Sequence, residues 1–155
     1  MEIRMANNGD IPGIIDLLLQ VGEVHHKIRP DLFRAGAQKY DEKALEEMLK
    51  DPNRPIFAAV ENGKLLGYCF CVLEIIKDNP VLMDQKSLYI DDLCVDENTR
   101  GKHVGAKLYD FALDYARKIG CDSLTLNVWC GNDSAMKFYE SRGLKHRNIH
   151  MEAKL

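Results

Sequence analysis

Two adjacent carboxylates interrupt an otherwise apolar run, Leu88-Tyr89-Ile90-Asp91-Asp92-Leu93-Cys94-Val95. A run so rich in aliphatic and β-branched residues reads as a strand between covering layers, where a carboxylate is poorly solvated and its pKa rises. A carboxylate tuned in this way can serve as a general base near neutral pH. Neighbouring strand residues point to opposite faces, so Asp91 and Asp92 are expected on different sides of the sheet. The plain structural alternative is a capping or ion-paired aspartate near the strand end.

Directly after this run comes Arg100-Gly101-Lys102-His103-Val104-Gly105-Ala106, which opens an amphipathic helical stretch. Its glycines permit a tight turn and a close approach of backbone to ligand. Free N–H groups at a helix start, the positive end of the helix dipole and the cations Arg100 and Lys102 together suit a phosphate or pyrophosphate. The spacing matches neither G-x-G-x-x-G nor G-x-x-x-x-G-K-[ST], so the dinucleotide and P-loop patterns both fail. A glycine turn before a helix is also an ordinary structural feature. Tyr139, beside Phe138, reads on its own as core, and Asn132 as a helix cap. His146 and His150 have zinc-like spacing but no cysteine pair within reach, so no metal site is expected.

Positioning these groups requires a mixed scaffold. Ile3 to Met5 suggests a first strand, and Asn8-Gly9-Asp10 a turn and cap before a helix from about residue 11 to 24 or a little beyond. Asp41 can cap a second helix that ends at Lys50. Ile56 to Val60 and Lys64 to Ile76, separated by Glu61-Asn62-Gly63, read as a hairpin, with a further strand at about Ser87 to Val95. Val104, Leu108, Phe111, Tyr115 and Ile119 mark an amphipathic helix that Gly120 terminates. Leu124 to Val128 is another strand, a helix containing Phe138 and Tyr139 follows, and two short strands are expected near Leu144 to His146 and Ile149 to Ala153. The expected order is β-α-α-β-β-β-α-β-α-β-β, an α+β fold in a single domain spanning residues 1–155.

Composition narrows the function further. With 46% hydrophobic and 29% charged residues the chain is not of the disordered or fibrous classes. A formal net charge of -3 opposes nucleic-acid binding. The five cysteines form no C-x-x-C pair and sit mostly in apolar runs, as reduced thiols of a cytoplasmic protein do. The start Met1-Glu2-Ile3-Arg4-Met5 is too charged for a secretion signal, and no stretch approaches a membrane span, so no membrane partner is expected.

From residue 85 to 155 the order and spacing of Asp-Asp-Leu-Cys-Val, Arg-Gly-Lys-His-Val-Gly, Leu126-Asn127-Val128-Trp129, Asn132-Asp133-Ser134-Ala135 and Phe138-Tyr139-Glu140-Ser141-Arg142-Gly143-Leu144 resemble the GNAT superfamily of N-acetyltransferases. The first 85 residues agree in their β-α-α-β-β pattern. The resemblance implies a mixed, mostly antiparallel central sheet flanked by helices, and acetyl-CoA as acyl donor. It places the CoA pyrophosphate on Arg100, Gly101, Lys102, His103, Val104, Gly105 and Ala106. It sets the pantetheine arm along Leu93, Cys94 and Val95 and against Asn132, and puts Tyr139 near the thioester sulfur as the acid. In the family's polyamine acetyltransferases a glutamate two places before the Leu-x-Val equivalent takes the amine proton, which points to Asp91 ahead of Asp92. His25, Asp31 and Phe33 fall where the family shapes its acceptor pocket. His103 stands where the family usually has glycine, and a side chain there is compatible with donating its N–H only if φ stays negative.

The implied reaction is transfer of an acetyl group to a primary amine by direct attack in a ternary complex, without metal and without a covalent acyl-enzyme. The acceptor would be a small molecule or a protein amine. Acidic Glu23, Asp31, Asp91 and Asp92 favour a cationic one. A monomer or a homodimer is compatible with this reading. The alternative is a module of the same fold that binds acyl-CoA without turnover.

Overall fold

The computed structural model describes residues 1–99 and 101–155, so Arg100, expected to add charge to the turn, lies outside the described residues. Its elements are β1 (Glu2–Met5), α1 (Ile11–Ile28), α2 (Glu42–Met48), β2 (Ile56–Glu61), β3 (Lys64–Ile76), β4 (Gln85–Val95), α3 (Val104–Lys118), β5 (Ser123–Leu126) and α4 (Asp133–Ser141). The strands form one sheet in the order β1-β2-β3-β4-β5. Every neighbouring pair is antiparallel except β4 and β5, which run parallel.

Local chemistry accounts for most of these elements. Asp10 begins α1 from a buried position, accepting from both Arg4 guanidinium nitrogens (2.8 and 3.0 Å) and from the Asn7 N–H (2.8 Å). In α1 the residues Ile11, Ile14 and Leu18 fall on one stripe and bury it, and the helix runs four residues past the expected Val24. Asn62 and Gly63, with φ of 51° and 77°, supply the left-handed pair that a two-residue hairpin between β2 and β3 needs. The period-two alternation of β3 sends Tyr68 and Phe70 into a core with α1 and α2, while Cys69 and Cys71 enter a second core under α3. Val104, Leu108, Ala112 and Ala116 are the buried stripe of α3.

Two departures from the expected strands matter for the site. Pairing between β3 and β4 runs Phe70 to Asp92 and then Cys71 to Ile90, so Asp91 is the extra residue of a β-bulge. Ile90 therefore packs under α3, yet Cys94, an even number of residues away, packs against α1. Asp91 and Asp92 are consequently not on opposite faces. The bulge turns both toward the α1 and α2 side, where Asp91 meets Tyr40 and Asp92 meets Tyr68.

The second departure is the tail. No strand forms over residues 144–155, neither near Leu144 to His146 nor at Ile149 to Ala153. Glu152 pairs instead with Arg29 (2.7 Å) and Lys154 with Asp31 (2.8 Å), which lays the tail along the loop after α1, with Ile149 and Met151 exposed. Among the described residues no helix is long and apolar enough to cross a membrane.

Candidate active site

The parallel pairing of β4 with β5 covers only Ser87 to Ile90 against Ser123 to Leu126. β5 stops two residues short of the expected Val128, while β4 continues through the bulge to Val95. The strands part there, and the edge of Leu93, Cys94 and Val95 on the β5 side has no neighbouring strand among the described residues. An unpaired row of N–H and C=O groups is a template for an extended amide-bearing ligand.

At the end of that edge the chain enters α3. Buried Asp96 anchors the loop, accepting from Lys64 Nζ (2.9 Å) and from the Asn98 N–H (3.0 Å), and these bonds hold its carboxyl below the usual range. Gly101 has φ of 86°, and His103, just before α3, has φ of 55° and ψ of 30°. The negative φ on which a side chain at His103 was compatible with donating its N–H is therefore not met. The backbone takes the left-handed path that glycine would take, in which histidine is one of the less disfavoured side chains. The first helical bond runs from the Lys107 N–H to the His103 carbonyl (3.1 Å), so the N–H groups of Val104, Gly105 and Ala106 come ahead of it and have no backbone partner among the described residues. A Cβ at Gly105 would lie 3.5 Å from Val95, 3.7 Å from Leu93 and 4.0 Å from Phe138, so the turn, the free strand edge and α4 converge there. Lys102 shares its charge with Glu61 across a 2.6 Å contact, which lowers the Glu61 pKa.

On the α1 side of the parting strands lie the carboxylates. Asp92 is half-buried and accepts from the Tyr68 hydroxyl at 2.7 Å; desolvation there pushes its pKa up, against the opposing pull of that bond. Asp91 accepts from Lys39 Nζ at 2.7 Å, with the Tyr40 hydroxyl at 3.4 Å. Burial, the largest single influence, would lower the Lys39 pKa, but the bond to Asp91 together with the negative charges of Asp91, Tyr40 and Asp92 outweighs it, and the ammonium is held above its usual value.

On the α4 side Tyr139 packs against Phe138 and Tyr109, with ring centroids 5.0 and 6.2 Å away. Burial first, then the charges of Cys69 and Asp92, push its phenol pKa upward, so it keeps its proton at neutral pH. The Cys94 thiol is pushed up to about 12, mainly by burial, and donates to the Leu17 carbonyl at 3.6 Å.

Other candidates divide. His25 and Phe33 lie together with ring centroids 5.0 Å apart, and Phe33 meets Trp129 edge-on at 5.2 Å, forming an aromatic rim. Asp31 is drawn into the Arg29 and Lys154 ion pairs, which hold its pKa well below the usual carboxylate range. Glu23 accepts from the Gly36 N–H (2.8 Å), and Asn132 caps α4 by accepting from the Ala135 N–H (3.3 Å). Sequence reasoning missed Lys39, Tyr40 and Tyr68. Tyr68 reads as one more apolar residue of β3, and no local pattern links Lys39 to a residue 52 positions away.

The model of the Acetyltransferase (GNAT) family matches residues 22–144. The chain belongs to this family. N-acetyltransferase YhfO of Bacillus subtilis, itself uncharacterized, is 31% identical over 144 residues, covering 92% of this chain and 89% of its own length. Thialysine N-epsilon-acetyltransferase of Bos taurus is 25% identical over 149 residues, covering 91% and 82%. A crystal structure of a mutant BH1408 protein from Bacillus halodurans superposes with a TM-score of 0.95 at 29% identity over 100% of this chain and 99% of that one. An aminoglycoside N-acetyltransferase in complex with CoA shares the fold, with a TM-score of 0.73 at 15% identity over 99% and 98%. GNAT acetyltransferases use acetyl-CoA, and the residues here fit it. A free strand edge suits the amide-bearing arm, and a helix start bared at Gly105 suits the pyrophosphate.

Within this GNAT site the Tyr68 hydroxyl carries a testable load. Tyr68→Phe keeps the ring but leaves a half-buried carboxyl without its donor, and should destabilise the fold by about 1–3 kcal/mol. Because the folded pKa of Asp92 lies above the ordinary 3.8, the unfolded chain releases that proton first. Stability from Asp92 is then complete below that value and falls as pH rises through the folded pKa. Thermal melts across this window should show Asp92→Asn flattening the slope, and Tyr68→Phe losing more stability at the alkaline end, where the carboxylate is ionised.

Proposed function

We propose that this GNAT protein transfers the acetyl group of acetyl-CoA to a cationic primary amine by direct attack within a ternary complex. The observation that carries this reading is at the bulge, where Asp91 already holds one primary ammonium, that of Lys39, at 2.7 Å. When bound, acetyl-CoA supplies the acetyl group as an activated thioester. The Val104, Gly105 and Ala106 N–H groups hold its pyrophosphate, and the free edge of Leu93, Cys94 and Val95 aligns its arm. An alkyl amine of pKa about 10.4 is protonated at pH 7 and must lose a proton before it can attack. Asp91 Oδ2 takes that proton, directly or through water, and the Tyr139 hydroxyl donates one to the departing sulfur. Asp92, held by Tyr68, fixes the bulge that presents Asp91. A Cys94 thiol with a pKa of about 12 is a poor nucleophile at neutral pH, which favours direct transfer over an acyl-enzyme.

The aromatic rim of His25, Phe33 and Trp129, with His25 within electrostatic reach of Asp92, suits an aliphatic amine with a cationic head. Aminoglycoside acetyltransferases among the fold neighbours and thialysine as the named acceptor of a relative supply the first compounds to try. The test is a panel of polyamines, aminoglycosides, lysine analogues and N-terminal peptides, followed by free-thiol release. Turnover with kcat/KM rising with pH is expected, and Asp91→Asn should lower it by about 10²-fold, far more than Asp92→Asn does. CoA binding with no thiol release from any amine would replace this reading with that of a binding module.

A further inference from the structure

We propose that Lys39 is a self-acetylation site of this protein, its Nζ being the amine that the transfer machinery meets when no other acceptor is present. The inference rests on the acyl-transfer reading above and adds to it a substrate that the chain itself carries. Lys39 lies in the segment between α1 and α2, which forms no helix or strand from Arg29 to Asp41. That segment is nonetheless tethered at several points. The Phe33 carbonyl lies 2.7 Å from His26 Nδ1, the Gly36 N–H donates to Glu23 (2.8 Å), and Gln38 donates to the Tyr40 carbonyl (2.6 Å). The Ala37 carbonyl packs so close to Gly22 that a Cβ there would stand 2.6 Å from it. The Tyr40 ring rests on Phe70, with centroids 5.7 Å apart.

These restraints deliver one primary amine to the bulge. Among the described residues the other paired lysines are engaged elsewhere: Lys50 with Glu47, Lys64 with Asp96, Lys102 with Glu61 and Lys154 with Asp31. The Lys39 side chain still keeps 45% of its surface exposed, so an acetyl group added to it has room. Tethering turns the encounter of amine and thioester into an intramolecular step and removes the entropy cost of bringing an acceptor in.

The transfer balances without any further reactant. The Lys39 ammonium gives one proton to Asp91 Oδ2, and its nitrogen then attacks the acetyl carbonyl carbon. The N–C bond forms as the C–S bond breaks, with the bonding pair leaving on sulfur. The sulfur takes a proton from the Tyr139 hydroxyl, the nitrogen's second proton restores that hydroxyl by way of solvent, and one proton in total is released to water. The product amide is neutral, so the ion pair with Asp91 is lost and the carboxylate is left for an outside amine.

The experiment incubates the purified full chain with acetyl-CoA alone and maps acetylated peptides over time at several protein concentrations. Lys50, just past the end of α2, with 67% of its side chain exposed and paired with Glu47, reports the background of uncatalysed acetylation. Lys39 should gain acetyl about tenfold faster than Lys50 or more, at a rate per molecule independent of protein concentration. Asp91→Asn should bring Lys39 down to the Lys50 rate, and an added polyamine should slow its labelling. Labelling of Lys39 no faster than of Lys50, or a rate per molecule that grows with protein concentration, would overturn the proposal. The amine panel is run on the same preparation. Thiol release from the panel with Lys39 unlabelled rejects self-acetylation alone, whereas neither thiol release nor labelling rejects the acyl-transfer reading together with it.

Discussion

Replacing Tyr139 with phenylalanine should lower kcat by about 10²-fold or more while CoA affinity barely moves. The ring makes the packing contacts with Phe138 and Tyr109, and phenylalanine keeps it. Burial and neighbouring charges raise the phenol pKa, with no hydrogen bond contributing among the described residues, so the hydroxyl can be removed at small cost to the fold. Under the proposed mechanism what is lost is a proton donor at the departing sulfur, an interaction that strengthens only as the C–S bond breaks. A rate defect with unchanged ground-state binding follows. Steady-state turnover, CoA titration and thermal melting on one preparation decide the matter. Full activity in the variant would hand the acid role to water or another group, and a lowered Tm with a normal rate would make Tyr139 a packing residue.

The second large effect is expected at Gly105. Valine there should weaken CoA binding by about 2 kcal/mol or more, roughly 30-fold in Kd. A Cβ at this position meets only ordinary contacts with Val95, Leu93 and Phe138, so Gly105→Ala should fold and bind nearly as well. Valine adds two methyl groups at the point where the helix start, the strand edge and α4 converge, crowding the Val104, Gly105 and Ala106 N–H groups that an anion must approach. Calorimetric titration of all three proteins gives the graded series. A folded Gly105→Val protein with unaltered CoA affinity would move the pyrophosphate away from this turn.

Much of this molecule is written in local patterns. The stripes Ile11, Ile14, Leu18 and Val104, Leu108, Ala112 identify α1 and α3 because a helix repeats every 3.6 residues whatever lies opposite it. The Asn62-Gly63 hairpin and the turn from Gly101 to Gly105 are legible because few residues tolerate a left-handed or closely approached backbone. His103 adopting that backbone went against the local rule, since the requirement of the turn outweighed the preference of the side chain.

What escaped the sequence depends on two segments at once. The bulge at Asp91 is a property of the register between β3 and β4, and one inserted residue reverses which face every later side chain of β4 occupies. Alternation along a single strand could therefore not show that Asp91 and Asp92 share a side. The end of β5 at Leu126 and the tail without strands were settled by where neighbouring backbone and opposite charges became available, not by the strand propensity of the residues themselves. Lys39 reaches Asp91 only because the segment after α1 folds back over the sheet and is pinned at Gly22 and Glu23. The sequence by itself determined the family, the helices and the glycine turn before α3, all of which rest on short-range geometry. Only the tertiary structure decided which carboxylate meets Tyr68 and which faces an amine, because strand pairing and loop closure bring together residues that no local periodicity connects.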